Sequence, residues 1–154
     1  MYVSFIFLLL LIANLFPLGH AKCKSGWDYF EGKCYRITDE RQNWNDSQAS
    51  CQSMDSTLAS VHDPKTNSFI YNLARSTFWV GGMRTGLGSG KENFAWSDNS
   101  PFDYTNWAKG QPDSDENRIQ ILKASTTEGF EDQDMKWNDQ SEKTEIHAIC
   151  QYDI

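Results

Sequence analysis

The chain reads as an α+β domain in which two early helices precede an antiparallel sheet. Three observations carry this. Between residues 43 and 73, two segments combine helix-start signals with helical spacing of apolar residues. After Ser76 the pattern shortens into runs with strand alternation. Four cysteines, Cys23, Cys34, Cys51 and Cys150, span the whole pattern, and 154 residues leave room for one domain around one core.

The first segment stands apart. Val3 to Leu18 is almost wholly apolar, and Gly19-His20-Ala21 then offers small residues at the −3 and −1 positions of a cleavage site. This reads as a secretory signal peptide over residues 1–21, with the α-amino group as the sole positive charge ahead of the apolar run. A membrane anchor would need about 20 apolar residues, and Pro17 lies near the end of this shorter stretch. The folded domain is therefore expected over residues 22–154, secreted, with no membrane insertion of the mature chain. All four cysteines fall inside it, so an exported chain implies disulfides rather than free thiols, and no Cys-x-x-Cys pair suggests zinc or redox chemistry.

Cys23 and Cys34 bracket two short aromatic strands that turn at Gly32. Asn43 is an N-cap candidate, with Asp46 in the first turn and Trp44, Cys51 and Met54 near one helical face. Asp63-Pro64 opens a second helix with an N-cap and a first-turn proline, and Phe69, Ile70 and Leu73 form its apolar stripe. The run FWVGG follows. Phe94 and Trp96 alternate, Ile119 and Ile121 alternate, and Ile146, Ala148 and Cys150 share one face of a closing strand. A long polar loop covers roughly Ser97 to Glu116.

Charge and composition narrow the function. The formal net charge is −7, without a basic patch, which argues against nucleic acid or an anionic membrane as partner. Aromatic content is high at 14%, with six Trp, enough for a compact core and for stacking surfaces. His62 and His147 belong to no nucleophile motif, so an enzyme is not expected. Glu128, Glu131, Asp132 and Asp134 read as a solvated acidic loop. Asn45-Asp46-Ser47 is an N-glycosylation sequon at the start of the first helix, which makes the chain a candidate glycoprotein.

The chemistry concentrates in NWAKGQPDSDEN and KWND. Gln111, Asp113, Glu116, Asn138 and Asp139 all offer side-chain oxygens, the donors that calcium takes in sets of six to eight. Pro112 would fix the backbone between Gln111 and Asp113, and a cis bond there would aim both toward one point. On spacing alone, a solvated acidic loop is the more ordinary reading, and no EF-hand pattern is present.

In their order along the chain these motifs resemble the C-type lectin family, from Cys23 to Cys150. Phe78-Trp79-Val80-Gly81 is similar to the family's Trp-Ile-Gly-Leu strand. Gln111-Pro112-Asp113 is similar to its sugar-specificity tripeptide in the galactose-type form, Glu116-Asn117 to the acidic pair that follows, and Trp137-Asn138-Asp139 to Trp-Asn-Asp. The resemblance implies a Ca2+ ion held by Gln111, Asp113, Glu116, Asn138 and Asp139. The same five residues would hydrogen-bond two vicinal sugar hydroxyls. It also implies glycan partners, with galactose or N-acetylgalactosamine preferred over mannose.

It further pairs Cys51 with Cys150, while the short Cys23–Cys34 separation suits a hairpin bond. Several departures stand out. Ser114-Asp115 replaces the Trp that often follows the tripeptide in galactose-type members, leaving Tyr104, Trp107 or Phe130 as stacking candidates. Leu87 to Lys91 lacks the acidic ligands of the family's auxiliary calcium site. Where the family has a second loop disulfide, this chain has Arg118 and Glu142, whose opposite charges predict a salt bridge. A lectin-like domain that binds a protein or another surface without sugar is the rival reading, and a glycoside hydrolase with paired carboxylates is a remote one. Single sugar sites bind weakly, so an oligomer would supply avidity.

Overall fold

The computed structural model describes residues 22–87, 90, 93–113 and 115–154. The expected signal peptide, Ser114 and most of the Leu87 to Lys91 stretch lie outside the described residues. The described elements are β1 (Asp28–Phe30), β2 (Lys33–Ile37), α1 (Trp44–Ser53), β3 (Thr57–Leu58), α2 (Pro64–Leu73), β4 (Phe78–Arg84), β5 (Phe94–Trp96), β6 (Arg118–Ile121), β7 (Trp137–Gln140) and β8 (His147–Asp153).

Both helices start where local chemistry asks them to. The Asn43 side chain accepts from Asp46 N at 3.0 Å, satisfying one of the orphan amides of the first turn of α1. Asp63 Oδ1 accepts from Lys65 N at 2.7 Å and Thr66 N at 3.0 Å, and Pro64 needs no amide partner at its position in α2. Desolvation pushes the Asp63 carboxyl up, but the bonds from Thr66 and Lys65 outweigh it and hold it below its ordinary value.

The buried faces differ in detail from the expectation. α1 buries Trp44, Ser47 and Cys51, with Met54 as its C-cap; α2 buries Thr66, Asn67 and Ile70, with Phe69 and Leu73 only partly covered.

The strands form one mixed sheet in the order β1-β2-β8-β4-β6-β7, with β3 added to β8 and β5 to β4. One pairing corrects the antiparallel expectation: β4 and β8 run parallel, with Phe78 opposite His147 and Trp79 opposite Ala148. Parallel neighbours require a long crossover, and everything between residues 85 and 146 supplies it. β8 therefore lies at the centre of the sheet, covered on both faces. Its alternation does not separate core from solvent. Ile149 packs with Tyr35, Phe78, Val80 and Trp137, while Ala148 and Cys150 pack with Trp44, Leu58 and Trp79. The same holds for β6, where Gln120 is buried between Ile119 and Ile121.

The FWVGG run is now explained. A Cβ on Gly82 would stand 2.3 Å from Ile119 Cδ1, and one on Gly81 would stand 2.8 Å from Ser97 Oγ and 3.0 Å from Leu58 O. Glycine lets β4 approach its neighbours that closely.

The disulfides are Cys23–Cys34 and Cys51–Cys150, as expected. The second joins α1 to β8 across a sequence separation of 99 residues. Replacing Cys51 and Cys150 together by Ala should lower unfolding stability by about 2–5 kcal/mol in urea denaturation. An unchanged midpoint would show that the staple does not constrain the unfolded chain.

Candidate functional site

The site is built where the long loop returns to the sheet edge at β6 and β7. Trp137 begins β7, and its burial organises the loop. Its ring meets Trp96, Tyr104 and Trp107 edge-on, with centroids 5.5, 5.6 and 5.8 Å away. Its indole N–H donates to Asn67 Oδ1 on α2 at 2.7 Å. Its backbone N–H donates to Asn106 O at 2.8 Å, and its carbonyl accepts from Ala108 N at 2.8 Å. Tyr104 and Trp107 are therefore drawn toward the core, with Trp107 also tilted onto Phe94 at 4.9 Å.

From Ala108 the chain turns at Gly110, with φ +84°, and Gln111 N donates to Ala108 O at 3.0 Å. The Gln111–Pro112 bond is cis, as anticipated. Gln111 is 9% exposed, and its side-chain Oε1 is buried with no hydrogen-bond partner. A buried amide oxygen without a donor is a costly arrangement and a natural position for a cation ligand.

Two residues further on, Asp113 N reaches Asp139 Oδ1 at a long 3.4 Å, bringing the tripeptide against β7. Asp113 itself is exposed and Glu116 partly so, whereas Asn138 and Asp139 are 6% and 1% exposed. β7 holds that last pair in register, with Asn138 opposite Gln120 and Asp139 opposite Ile119.

Of the predicted oxygen donors, Asp113 meets Asp139 through its backbone amide, and Asn138 and Asp139 are neighbours on β7. Among the described residues, no group of three or more His, Cys, Asp or Glu side chains could hold a metal ion. A calcium cage here would depend on the amide oxygens of Gln111 and Asn138 beside the carboxylates of Asp113, Glu116 and Asp139. That mixed set fits a hard cation, and the orphaned Gln111 Oε1 is the structural sign of it.

A residue that sequence reasoning overlooked also reaches the site. Arg84, at the end of β4, donates from Nη2 to Asp139 Oδ2 at 2.9 Å and from Nε to Glu116 O at 2.8 Å. Its backbone N donates to Asn117 O at 2.9 Å. The side chains of the ion pair are 7% and 0% exposed.

The predicted Arg118–Glu142 salt bridge is present at 3.0 Å, with side chains 15% and 33% exposed. Glu142 Oε2 also accepts from Asn117 Nδ2 at 3.2 Å, and the Arg118 guanidinium lies 4.4 Å from the centre of the Trp44 ring. Burial pushes the Arg118 guanidinium below its ordinary value, and Glu142 opposes that shift.

One further arrangement has the outline of a catalytic triad. His62 Nδ1 lies 2.8 Å from Asp103 Oδ1, and Nε2 lies 3.1 Å from Ser60 Oγ. Ser60 is 2% exposed, and its hydroxyl donates to Asp98 Oδ2 at 2.6 Å. No substrate could reach that oxygen, and its proton already has an acceptor. The network instead ties the start of the long loop to β8, since Gln151 Nε2 also donates to Asp98 Oδ2, at 3.0 Å.

Comparison with known proteins accords with this geometry. The family model for the lectin C-type domain matches residues 40–152. The chain therefore belongs to the C-type lectin domain family, whose members are generally non-enzymatic binding proteins.

It is 34% identical over 106 residues to C-type mannose receptor 2 of Mus musculus, covering 64% of this chain and 7% of that protein. It is 28% identical over 124 residues to ladderlectin of Oncorhynchus mykiss, covering 77% and 61% respectively. The chain thus spans less than two thirds of either relative.

Among solved structures it resembles the cow C-type carbohydrate-recognition domain of CD23, determined in the presence of a GlcNAc2Man3 oligosaccharide. The TM-score is 0.73 at 27% identity, over 86% of this chain and 97% of that one. It shares its fold with a calcium-independent type II antifreeze protein, at TM-score 0.75 and 23% identity, over 88% and 98%.

Reversing one charge, as in Arg118→Glu or Glu142→Arg, should destabilise the domain. Reversing both should recover most of the loss, giving a coupling energy of about 1 kcal/mol in a double-mutant cycle. Additive losses would mean that the pair contributes nothing as a pair.

Proposed function

We propose that the chain is a secreted, calcium-dependent carbohydrate-binding protein that prefers galactose or N-acetylgalactosamine to mannose. The observation that carries this reading is the buried, partnerless Gln111 Oε1, on a turn whose Asp113 amide already approaches Asp139. Gln111, Asp113, Glu116, Asn138 and Asp139 would hold Ca2+, which supplies open coordination positions for two vicinal sugar hydroxyls. The chain's own groups then select the sugar. Carboxylate oxygens accept from hydroxyls and amide NH2 groups donate to them, so the order Gln, Pro, Asp sets which hydroxyl meets a donor.

Residues 1–21 would be removed on secretion. Two disulfides, and the lack of any membrane-crossing helix among the described residues, accord with an extracellular domain. Asn45, exposed in the first turn of α1, would carry the N-linked glycan.

A second reading, a lectin-like domain that binds a protein or another surface without sugar, draws on a specific observation. Asp139, a central ligand in the first reading, is already paired with Arg84.

The two readings separate on an immobilised galactose column. Retention in calcium, release by chelator and elution by galactose rather than mannose would support the first. Binding of a partner unaffected by chelator would support the second. Calorimetry should give a calcium dissociation constant on the order of 10⁻⁴–10⁻³ M, as for other extracellular modules. Asp139→Ala should abolish binding, and unchanged affinity in that variant would displace the site. Exchanging Gln111 for Glu and Asp113 for Asn together should move the preference toward mannose.

A further inference from the structure

We propose that Arg84 is a positioning residue that acts as a built-in cation for the binding face, holding Asp139 and the Glu116 backbone in place so that the loop stays assembled without calcium. The proposal rests on reading this loop as the binding face and adds a mechanism that keeps it formed.

The guanidinium is placed for this. It sits on β4, the strand between β6 and β8, where its backbone is fixed by pairing with Phe94 of β5 and by the bond to Asn117 O. Its head engages at least three separate parts of the chain. Nη2 reaches Asp139 Oδ2 on β7, Nε reaches the Glu116 carbonyl in the loop before β6, and its flat face lies 4.6 Å from the centre of the Phe94 ring on β5. A planar fork with donors in fixed directions can make such contacts together, where a hydrated ammonium would hold one partner at a time.

The pairing also orients Asp139. With Oδ2 directed to Arg84, Oδ1 is the oxygen that meets the Asp113 amide. The carboxylate is thus presented to the tripeptide before any metal arrives. Both side chains are buried, so water screens the interaction little.

Removing the cation leaves a buried carboxylate without its charge partner, which is the costly way to break such a pair. Calcium would then add to the order of the loop, because it could replace the lost charge.

Hydrogen–deuterium exchange on the disulfide-bonded domain, in excess chelator and in excess calcium, tests this. In chelator, the wild type should stay protected over residues 108–118 and 137–140. Arg84→Gln should exchange there faster by roughly tenfold or more, with β2 and β8 unchanged. Arg84→Lys, which keeps the charge but not the fork, should keep part of the protection and exchange more slowly than Arg84→Gln, a partial rescue that loss of packing alone would not show.

Equal protection of Arg84→Gln and wild type in chelator would overturn the proposal. So would a wild-type loop that already exchanges freely in chelator. If Arg84→Gln also loses protection in β2 and β8, Arg84→Lys decides: a loop better protected than in Arg84→Gln supports the proposal, and one no better protected overturns it. Calcium should restore protection in Arg84→Gln. If calcium alters neither protein, the calcium-site reading fails, while the comparison in chelator still decides the role of Arg84.

Discussion

The candidate binding face depends on the burial of one indole. Trp137 stands at the meeting point of α2, the long loop and β7, and all its polar atoms are used. The ring N–H goes to Asn67, and the backbone N–H and carbonyl go to Asn106 and Ala108. A large ring that surrenders its indole N–H to a buried acceptor has few alternative positions. Everything attached to it inherits that definition. Asn138 and Asp139 follow directly on β7, and the loop that presents Gln111 to Asp113 departs from Ala108, one bond from the same anchor. Asn67 accepts from the Trp137 ring and donates to Met135 O at 3.0 Å, so it fixes both the indole and the approach of the chain into β7.

A second constraint is the central position of β8. Strands covered on both faces distribute their alternate residues between two packed layers, and here those layers are joined by the strand rather than separated by it. The Cys51–Cys150 bond fastens α1 to this strand, and Gln151 extends from it to Ser60 and Asp98. Burial pushes the Asp98 carboxyl up, but bonds from Ser100 and Ser60 outweigh that and hold it below its ordinary value. The long loop is therefore tied at its beginning to β8 and at its end to β6 and β7. A loop of this length needs several such attachments, because each ordered residue costs about 1–2 kcal/mol of backbone entropy.

Local chemistry was legible in the sequence. Asn43 and Asp63 announce helix starts because a cap acts within three residues, and Phe94 and Trp96 alternate because β5 has one buried face. The oxygen donors were legible as a set only through their order along the chain. Arg84 and Asn67 were not legible. Each is a polar residue whose partner lies far away in sequence, 55 residues for Arg84 with Asp139 and 70 for Asn67 with Trp137. Nothing local distinguishes such a residue from a solvated one. Arg118 with Glu142 was an exception, since two absent cysteines marked both positions at once. The parallel β4–β8 pairing escaped for the same reason as Arg84: alternation within a strand states which residues share a face but not which strand lies alongside.

The two arginines at the site perform different electrostatic work. Arg118 with Glu142 is a neutral pair at a partly open edge, so added salt should screen it. Arg84 with Asp139 is buried and belongs to the charge balance of the site itself. The carboxylates of Asp113, Glu116 and Asp139 together carry three negative charges, which would repel one another in a closed cage. Arg84 cancels one of them from the protein side, leaving two, the number that one calcium ion neutralises. Without Arg84, the metal-free loop would hold three like charges near a low-dielectric wall, and the loaded site would keep an excess negative charge against the hydroxyls it must bind. With Arg84, the metal-free loop is less strained by like charge. The buried pairing of Arg84 with Asp139 is therefore where the two readings of this face part: it lowers like-charge repulsion in the metal-free loop, and it occupies an oxygen that a metal would take.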